Sequence, residues 1–448
     1  MFRRDLFSTL LNWKSKDKSK PIILRGARQV GKSTLARELG SHYEVFLSIN
    51  LERQSDAALF DDIDDVNLLI DKIALSQNKV YLPKKTLLFI DEIQEVPRCI
   101  ALLRYFYEDL PDLDVIAAGS LLEFAIGDVP SFPVGRVDQI SVYPMSFAEW
   151  LEALGEKEAL KYFAEVPTPS VAHSRLLDLF NTYMIVGGMP EVVATYVSSE
   201  RSMSSLPPVY SSIWDTYVRD IEKYGSNNSE RAILRHIVNV LPNERDRITF
   251  AGFGKSNYRS REVGEAFRKL DKAGIVRLIY PTSSTEVPIQ LNYRRKPRIQ
   301  FLDIGLLNYA SGIQADLIGV ADLNSLYKGY LTQQVITQEL ICNQSRIDYL
   351  PPFWTRESAN ANAEVDLLAV HKSKLYPIEV KSGPSGRLRS LHEYIKVSKH
   401  KIGLRLLANE YSVDKATTAV NALEYQLVNI PYYDGSKILR YLDKLNAS

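Results

Sequence analysis

The sequence predicts an α/β chain: a parallel-sheet core, a helical segment, a small helical module closed by a ribbon, and a second α/β region. Three observations predict it. Through the first 145 residues, short apolar runs alternate with stretches of helical length. Strands that are apolar throughout and separated by helices belong to a parallel sheet covered on both faces. From Ser146 to about Tyr224 the period turns helical, and strand-like runs return after residue 325. The expected divisions are 1–145, 146–228, 229–312 and 325–448, in keeping with 448 residues at roughly 150 per domain.

The core strands are PIIL (Pro21 to Leu24), VFLSIN (Val45 to Asn50), TLLFI (Thr86 to Ile90), DVIAAG (Asp114 to Gly119) and VDQISVY (Val137 to Tyr143). FAEWLEALGEKEALKYF and RLLDLFNTYMIVGG supply the helical segment. Composition removes other classes. Apolar residues make up 45% and charged residues 24%, which excludes collagen-like, coiled-coil and wholly disordered chains. A net charge of +1 gives no global pull toward a polyanion, so any such surface is local. Two cysteines, Cys99 and Cys342, are too few for a disulfide framework and fit a reducing compartment. No segment approaches the ~20 uncharged apolar residues of a membrane span. The N-terminus carries Arg3, Arg4, Asp5 and several lysines with no apolar stretch, so it makes a poor signal peptide and the cytoplasm is the expected location.

Gly26-Ala27-Arg28-Gln29-Val30-Gly31-Lys32-Ser33 matches G-x-x-x-x-G-K-[ST] between an expected strand and the helical run STLARELG. That context is what makes the motif a phosphate cradle: glycines let the backbone curl, and its N–H groups with the helix N-terminus bind the anion. ATP is the expected ligand. Lys32 would reach its β- and γ-phosphates, the Ser33 hydroxyl would sit on Mg²⁺, and Thr34 follows at the nucleotide. Asp91 and Glu92 end the buried run LLFIDE, at the strand end where α/β sheets present ligands. Asp91 would hold Mg²⁺, mostly through water, and Glu92 would polarise the attacking water. Ser120, after VIAAG, would touch the γ-phosphate or the lytic water, or would cap the helix LLEFAI. Arg136, in the loop before the last strand, would reach a neighbouring subunit of a homo-oligomer as an arginine finger, or form a surface ion pair. Gly252-Phe253-Gly254-Lys255-Ser256 lacks the full spacing and reads as a loop.

GARQVGKST, LLFIDEIQ, AAGSLLEF and GRVDQISVYPMSFAEW resemble the AAA-type P-loop ATPases of bacteria and archaea, single chains with a C-terminal region of unknown function. The resemblance implies an AAA-like core, a helical lid, a winged-helix module and a nuclease-like terminus.

Residues 255–300 contain eleven Lys/Arg against four Asp/Glu, a local +7, whereas residues 51–75 carry seven acids and two bases. REVGEAFRKLDKAGIVRLIYP resembles the last helix and wing of a winged helix, with Arg259, Arg261, Arg268, Lys269 and Lys272 on or near the helix and YRRKPR (Tyr293 to Arg298) on the ribbon. Those cations would neutralise DNA phosphates, or the module would pack as a lid.

The runs Ala363 to Val370 and Leu375 to Lys381 flank His371-Lys372-Ser373-Lys374. If Val370 pairs with Leu375, Asp366 falls opposite Glu379 and Glu364 opposite Lys381, all on one face. Facing carboxylates repel unless one is protonated or a cation lies between them. Oxygen ligands suit Mg²⁺ or Mn²⁺. The D-x₁₂-E-x-K pattern resembles the PD-(D/E)xK nuclease fold, in which Lys381 would position or deprotonate a water. That resemblance implies a further acid on the upstream helix. Glu339 would serve, since the family's usual helical acid corresponds to Gln333. The other reading is a salt-bridged edge ribbon, Glu364 to Lys381. His392, in a helix with Arg387, Arg389, Lys396 and Lys399, is a candidate for DNA contact or a surface residue. The expected function is therefore an ATP-hydrolysing protein that binds DNA and has a metal-dependent cleavage site. The alternative is an ATP-dependent switch that binds without cutting.

Overall fold

The computed structural model describes residues 2–61, 63, 65–120, 132–245, 247–314, 329–343, 349–356, 363–381, 388–419 and 422–447. The chain divides into two compact units, Met1–Pro144 with Lys272–Ile275, and Met145–Asp271 with Val276–Ser448.

The first unit carries five parallel strands: β1 (Ile22–Arg25), β2 (Val45–Asn50), β3 (Thr86–Asp91), β4 (Asp114–Ala118) and β5 (Asp138–Ser141), in the order β2-β3-β4-β1-β5. Every residue of β3 is buried, as expected of a strand with helices on both faces. Its register on β4 pairs Leu88 with Val115 and Ile90 with Ala117. Leu88, Ile90, Ile70, Leu103 and Phe106 pack into one core. Burying each such side chain contributes about 1.5–3 kcal/mol, which makes a stiff base for the polar strand ends. Local signals set the helices. Asp65 accepts from Asn67 N at 2.8 Å and starts Val66–Ser76. Pro97 opens Pro97–Asp109, where its missing N–H costs nothing.

The second unit begins with helices. Phe147–Ala153 starts on a capping box, with the Ser146 side chain and Glu149 each satisfying the other's backbone N–H. His173–Val186, Pro190–Ser198 and Pro207–Tyr224 follow. The middle module consists of helices Asn228–Val240 and Ser260–Lys272 and an antiparallel ribbon of β6 (Val276–Ile279) and β8 (Arg298–Phe301), paired with Leu278 opposite Ile299. The ribbon is where the helical period followed by Gly274 placed it. Gly252–Ser256 is a short 3₁₀ turn, Phe253–Lys255, and not a phosphate loop.

Two further sheets complete this unit. Strands β7 (Pro281–Thr282), β9 (Phe353–Thr355) and β10 (Glu364–Val365) form one, in the order β10-β9-β7. The other contains β11 (Leu367–His371), β12 (Lys374–Val380), β13 (Ile402–Leu407), β14 (Ser412–Thr417) and β15 (Glu424–Pro431), in the order β11-β12-β13-β15-β14. Here β11 and β12 form the antiparallel hairpin, and helix Arg389–Ser398 crosses back so that β13 lies parallel to β12. No helix among the described residues is long and apolar enough to cross a membrane.

Candidate functional site

The loop between β1 and helix Lys32–Gly40 spends much of its length at positive φ: Gly26 at 140°, Gln29 at 61° and Gly31 at 99°. Gly26 could not be any other residue, because a Cβ there would overlap the Val142 carbonyl oxygen. Arg4 braces the loop, donating to Val30 O at 3.0 Å and Tyr143 O at 2.7 Å. Sequence reasoning missed that contact, because Arg4 lies far from the motif in the chain. Lys32 is buried, and its ammonium donates to Gly26 O at 2.9 Å and Ala27 O at 2.7 Å. Burial pushes its pKa down to about 8, against the pull of the Glu92 and Asp91 carboxylates. A lysine in this state gains a full-strength partner when a phosphate enters. Around it Ala27 and Val30 are buried, Gln29 and Thr34 are exposed, and Arg28 lies 3.7 Å from Glu52.

Because β4 lies between β1 and β3, the ends of three adjacent strands face one region. Asp91 is buried and hydrogen-bonded to the Ser33 side chain, and burial raises its pKa. A hydroxyl and a carboxylate held together in this way are the donor set that would hold Mg²⁺. Glu92 sits in the left-handed region (φ 52°, ψ 48°), a conformation a non-glycine residue adopts at a cost of about 1–3 kcal/mol. Its Oε2 accepts from Gln94 Nε2 at 2.6 Å, and the Ser120 hydroxyl stands 3.5 Å away. Gln94 is the second residue that sequence reasoning missed. Gly119 makes room for it, since a Cβ there would strike Gln94 Oε1. LLEFAI, the helix Ser120 was expected to cap, lies outside the described residues. Arg136 donates to Glu108 Oε1 at 2.8 Å, an exposed pair on its own surface.

In the C-terminal hairpin, Val370 pairs with Leu375 and the register runs to Leu367 opposite Ile378. One step further, Asp366 accepts from Val380 N through Oδ2 at 2.9 Å. Glu379 Oε1 accepts from Lys381 Nζ at 2.5 Å, while its buried Oε2 has no hydrogen-bond partner. Burial and the Asp366 charge raise the Glu379 carboxyl to about 7. So Asp366, Glu379 and Lys381 do come together, and the orphaned oxygen is what a cation would satisfy.

Two expectations need correcting. Glu364 does not face Lys381. At Asp366 the chain leaves the hairpin, Glu364 pairs with Thr355 in the other sheet, and its carboxylate takes Arg298 and Arg247. Glu339 is also elsewhere. It is buried, and its Oε1 accepts from Phe147 N and the Tyr183 hydroxyl, each at 2.9 Å. Gln333, one and two-thirds turns earlier, lines a small cavity with Asp366, Arg298 and Tyr330. Among the described residues no three His, Cys, Asp or Glu side chains are grouped to hold a metal.

Several of the basic residues are already engaged. Lys269 donates to Tyr224 O at 2.8 Å and pairs with Glu230 at 2.6 Å, and Arg261 pairs with Glu265. Arg298 turns inward. His392 hydrogen-bonds the Tyr425 hydroxyl at 3.1 Å, and Arg387 lies outside the described residues. Arg268, Arg294 and Lys296 are exposed.

The parallel five-stranded core with its P-loop matches a P-loop ATPase fold, and residues 18–151 match the family described as an AAA domain. Residues 177–317 match a domain of unknown function (DUF8612), and residues 328–433 match another (DUF4143). An uncharacterized protein of Haemophilus influenzae is 26% identical over 250 residues, covering 53% of this chain and 54% of its own length. The chain thus spans about half the length of that curated relative. Among solved structures, the Walker-type ATPase paby2304 of Pyrococcus abyssi shares 16% identity, with a TM-score of 0.45 over 69% of this chain and 96% of its own.

Proposed function

We propose that the chain binds and hydrolyses ATP in its first unit, binds DNA through the basic middle module, and carries a metal-dependent phosphodiester site at Asp366, Glu379 and Lys381. The observation that carries the ATP reading is the convergence of Lys32 and Ser33, beyond the end of β1, with Asp91 and Glu92, at the end of β3, on either side of β4. The loop amides and Lys32 bind the phosphates, and Ser33 and Asp91 hold Mg²⁺, which supplies charge neutralisation at the transferring phosphoryl group. Glu92, kept in place by Gln94, orients the attacking water. Ser120 stands beside it at the γ-phosphate. Lys32→Ala should abolish nucleotide binding, measured by calorimetry on the folded variant; retained affinity would count against the site.

A second reading, a switch that binds DNA without cutting it, is favoured by one observation: Arg298 already neutralises the acidic hairpin. Metal-dependent cleavage of plasmid DNA, lost in both Asp366→Ala and Lys381→Ala while ATP turnover survives, separates the two. The trans role of Arg136 would require it to leave Glu108. If it does, specific activity rises with protein concentration.

A further inference from the structure

The acidic hairpin is compensated from outside its own sheet. Arg298 opens β8, the ribbon strand of the middle module. Its Nη1 donates to Asp366 O at 2.9 Å, and its Nη2 reaches both Glu364 Oε1 and, at 3.5 Å, Asp366 Oδ1. Arg247 takes the other Glu364 oxygen. The Phe353 ring underlies both guanidinium groups, at 4.4 Å for Arg298 and 5.5 Å for Arg247. The Arg298 side chain is 19% exposed, so little water screens it. Carboxylate, backbone carbonyl and aromatic face grip one planar cation at once, a combination that suits arginine.

We propose that Arg298 is a tethered cation that competes with a divalent metal for the Asp366–Glu379 site, so that the ribbon strand controls metal entry. The proposal rests on the metal-site reading of those two carboxylates. Asp366 uses Oδ2 on Val380 N and Oδ1 on Arg298. With Arg298 in place, Glu379 Oε2 is the one oxygen of the two carboxylates that has neither a hydrogen bond nor an ion pair. Withdrawing Arg298 frees a second ligand and removes a repelling charge. A monovalent and a divalent cation about 6 Å apart repel by about a factor of ten in affinity even at water's dielectric constant. Arg298 also follows the run Arg294-Arg295-Lys296 by two residues, and among the described residues that run forms no ion pair. That run lies in the turn that leads into β8, so a polyanion seated there lies next to the strand that carries Arg298.

The test is Mn²⁺ binding to the full chain without nucleotide, read from the free-ion electron paramagnetic resonance signal. Arg298→Gln should bind about tenfold more tightly than wild type, and adding Asp366→Asn should remove the gain. Mn²⁺ should also recover the melting temperature that Arg298→Gln loses through carboxylate repulsion. Equal affinity in wild type and Arg298→Gln, both sensitive to Asp366→Asn, leaves the metal site standing and overturns the gate. No Asp366-dependent binding in any variant overturns the metal site and the gate together. If Arg298→Gln does not fold, Arg298→Met decides. It keeps the length of the side chain and removes the charge, so tighter binding than wild type supports the gate and wild-type affinity overturns it.

Discussion

Lys32 shows how much one residue's chemistry depends on what enters beside it. Its buried ammonium is held by two loop carbonyls and has a pKa near 8. Phosphate binding needs the charged form. Nucleotide affinity should therefore hold steady below about pH 8 and fall above it, by up to about tenfold per pH unit. Calorimetric titration between pH 7 and 9.5 checks this, and a flat profile would show that Lys32 stays charged without the phosphate. At this scale the nucleotide residues were legible, because phosphate chemistry ties them to one short spacing on a strand–loop–helix. Arg4 and Gln94 were not. Arg4 reaches the loop across 26 residues to Val30, and Gln94 acts by placing the Glu92 carboxylate, which leaves no pattern in the chain.

Elements were legible where burial dictates the period. All five core strands fall on the expected runs, but only the central ones are buried almost throughout: every residue of β3 is buried, whereas the edge strand β2 alternates and the edge strand β5 is half-buried at each position. The hairpin register followed from even spacing, but it failed at Glu364, where the strand crosses into another sheet. A local pattern cannot show that partner change. Buried polar ties were equally hidden. Asp303 starts helix Ile304–Ala310, accepting from Leu306 N at 3.0 Å and from Gly188 N at 2.6 Å. Burial raises its carboxyl from 3.8 to about 6 despite those bonds. An acid with a raised folded-state pKa contributes stability below its unfolded pKa and loses it as pH rises through the folded one. Asp303 should thus cost stability between about pH 4 and 6, by at most about 3 kcal/mol. Asp303→Asn, which keeps one of the two accepting oxygens and cannot ionise, should flatten that part of the melting-temperature profile. An unchanged slope would mean that another group carries it.

For the whole molecule, neutrality is an average over an acidic stretch and a basic module, and the structure sorts the basic residues by use. Lys269 and Arg298 are committed to internal partners, so the module's exposed cations lie at the ribbon turn and on the exposed face of helix Ser260–Lys272, where the proposed DNA contact would fall. Reversing Arg294 and Arg295 to Glu should weaken DNA binding at all sequences and lower the salt slope by about 2. Lys269→Glu should instead lower the melting temperature, because it sets a second acid against Glu230. Fluorescence anisotropy from 50 to 200 mM salt, with melting curves alongside, separates the two. A full chain that ignores DNA at the lowest salt would leave the module as a lid.

The most direct measurement is steady-state ATP turnover by Glu92→Gln, with nucleotide affinity measured on the same preparation. The substitution keeps the shape of the side chain and removes the charge proposed to polarise the attacking water. Affinity should stay within a few-fold of wild type while turnover falls about a hundredfold or more. Equal turnover in the two proteins would contradict the assignment of Glu92, and with it the hydrolytic site at the end of β3.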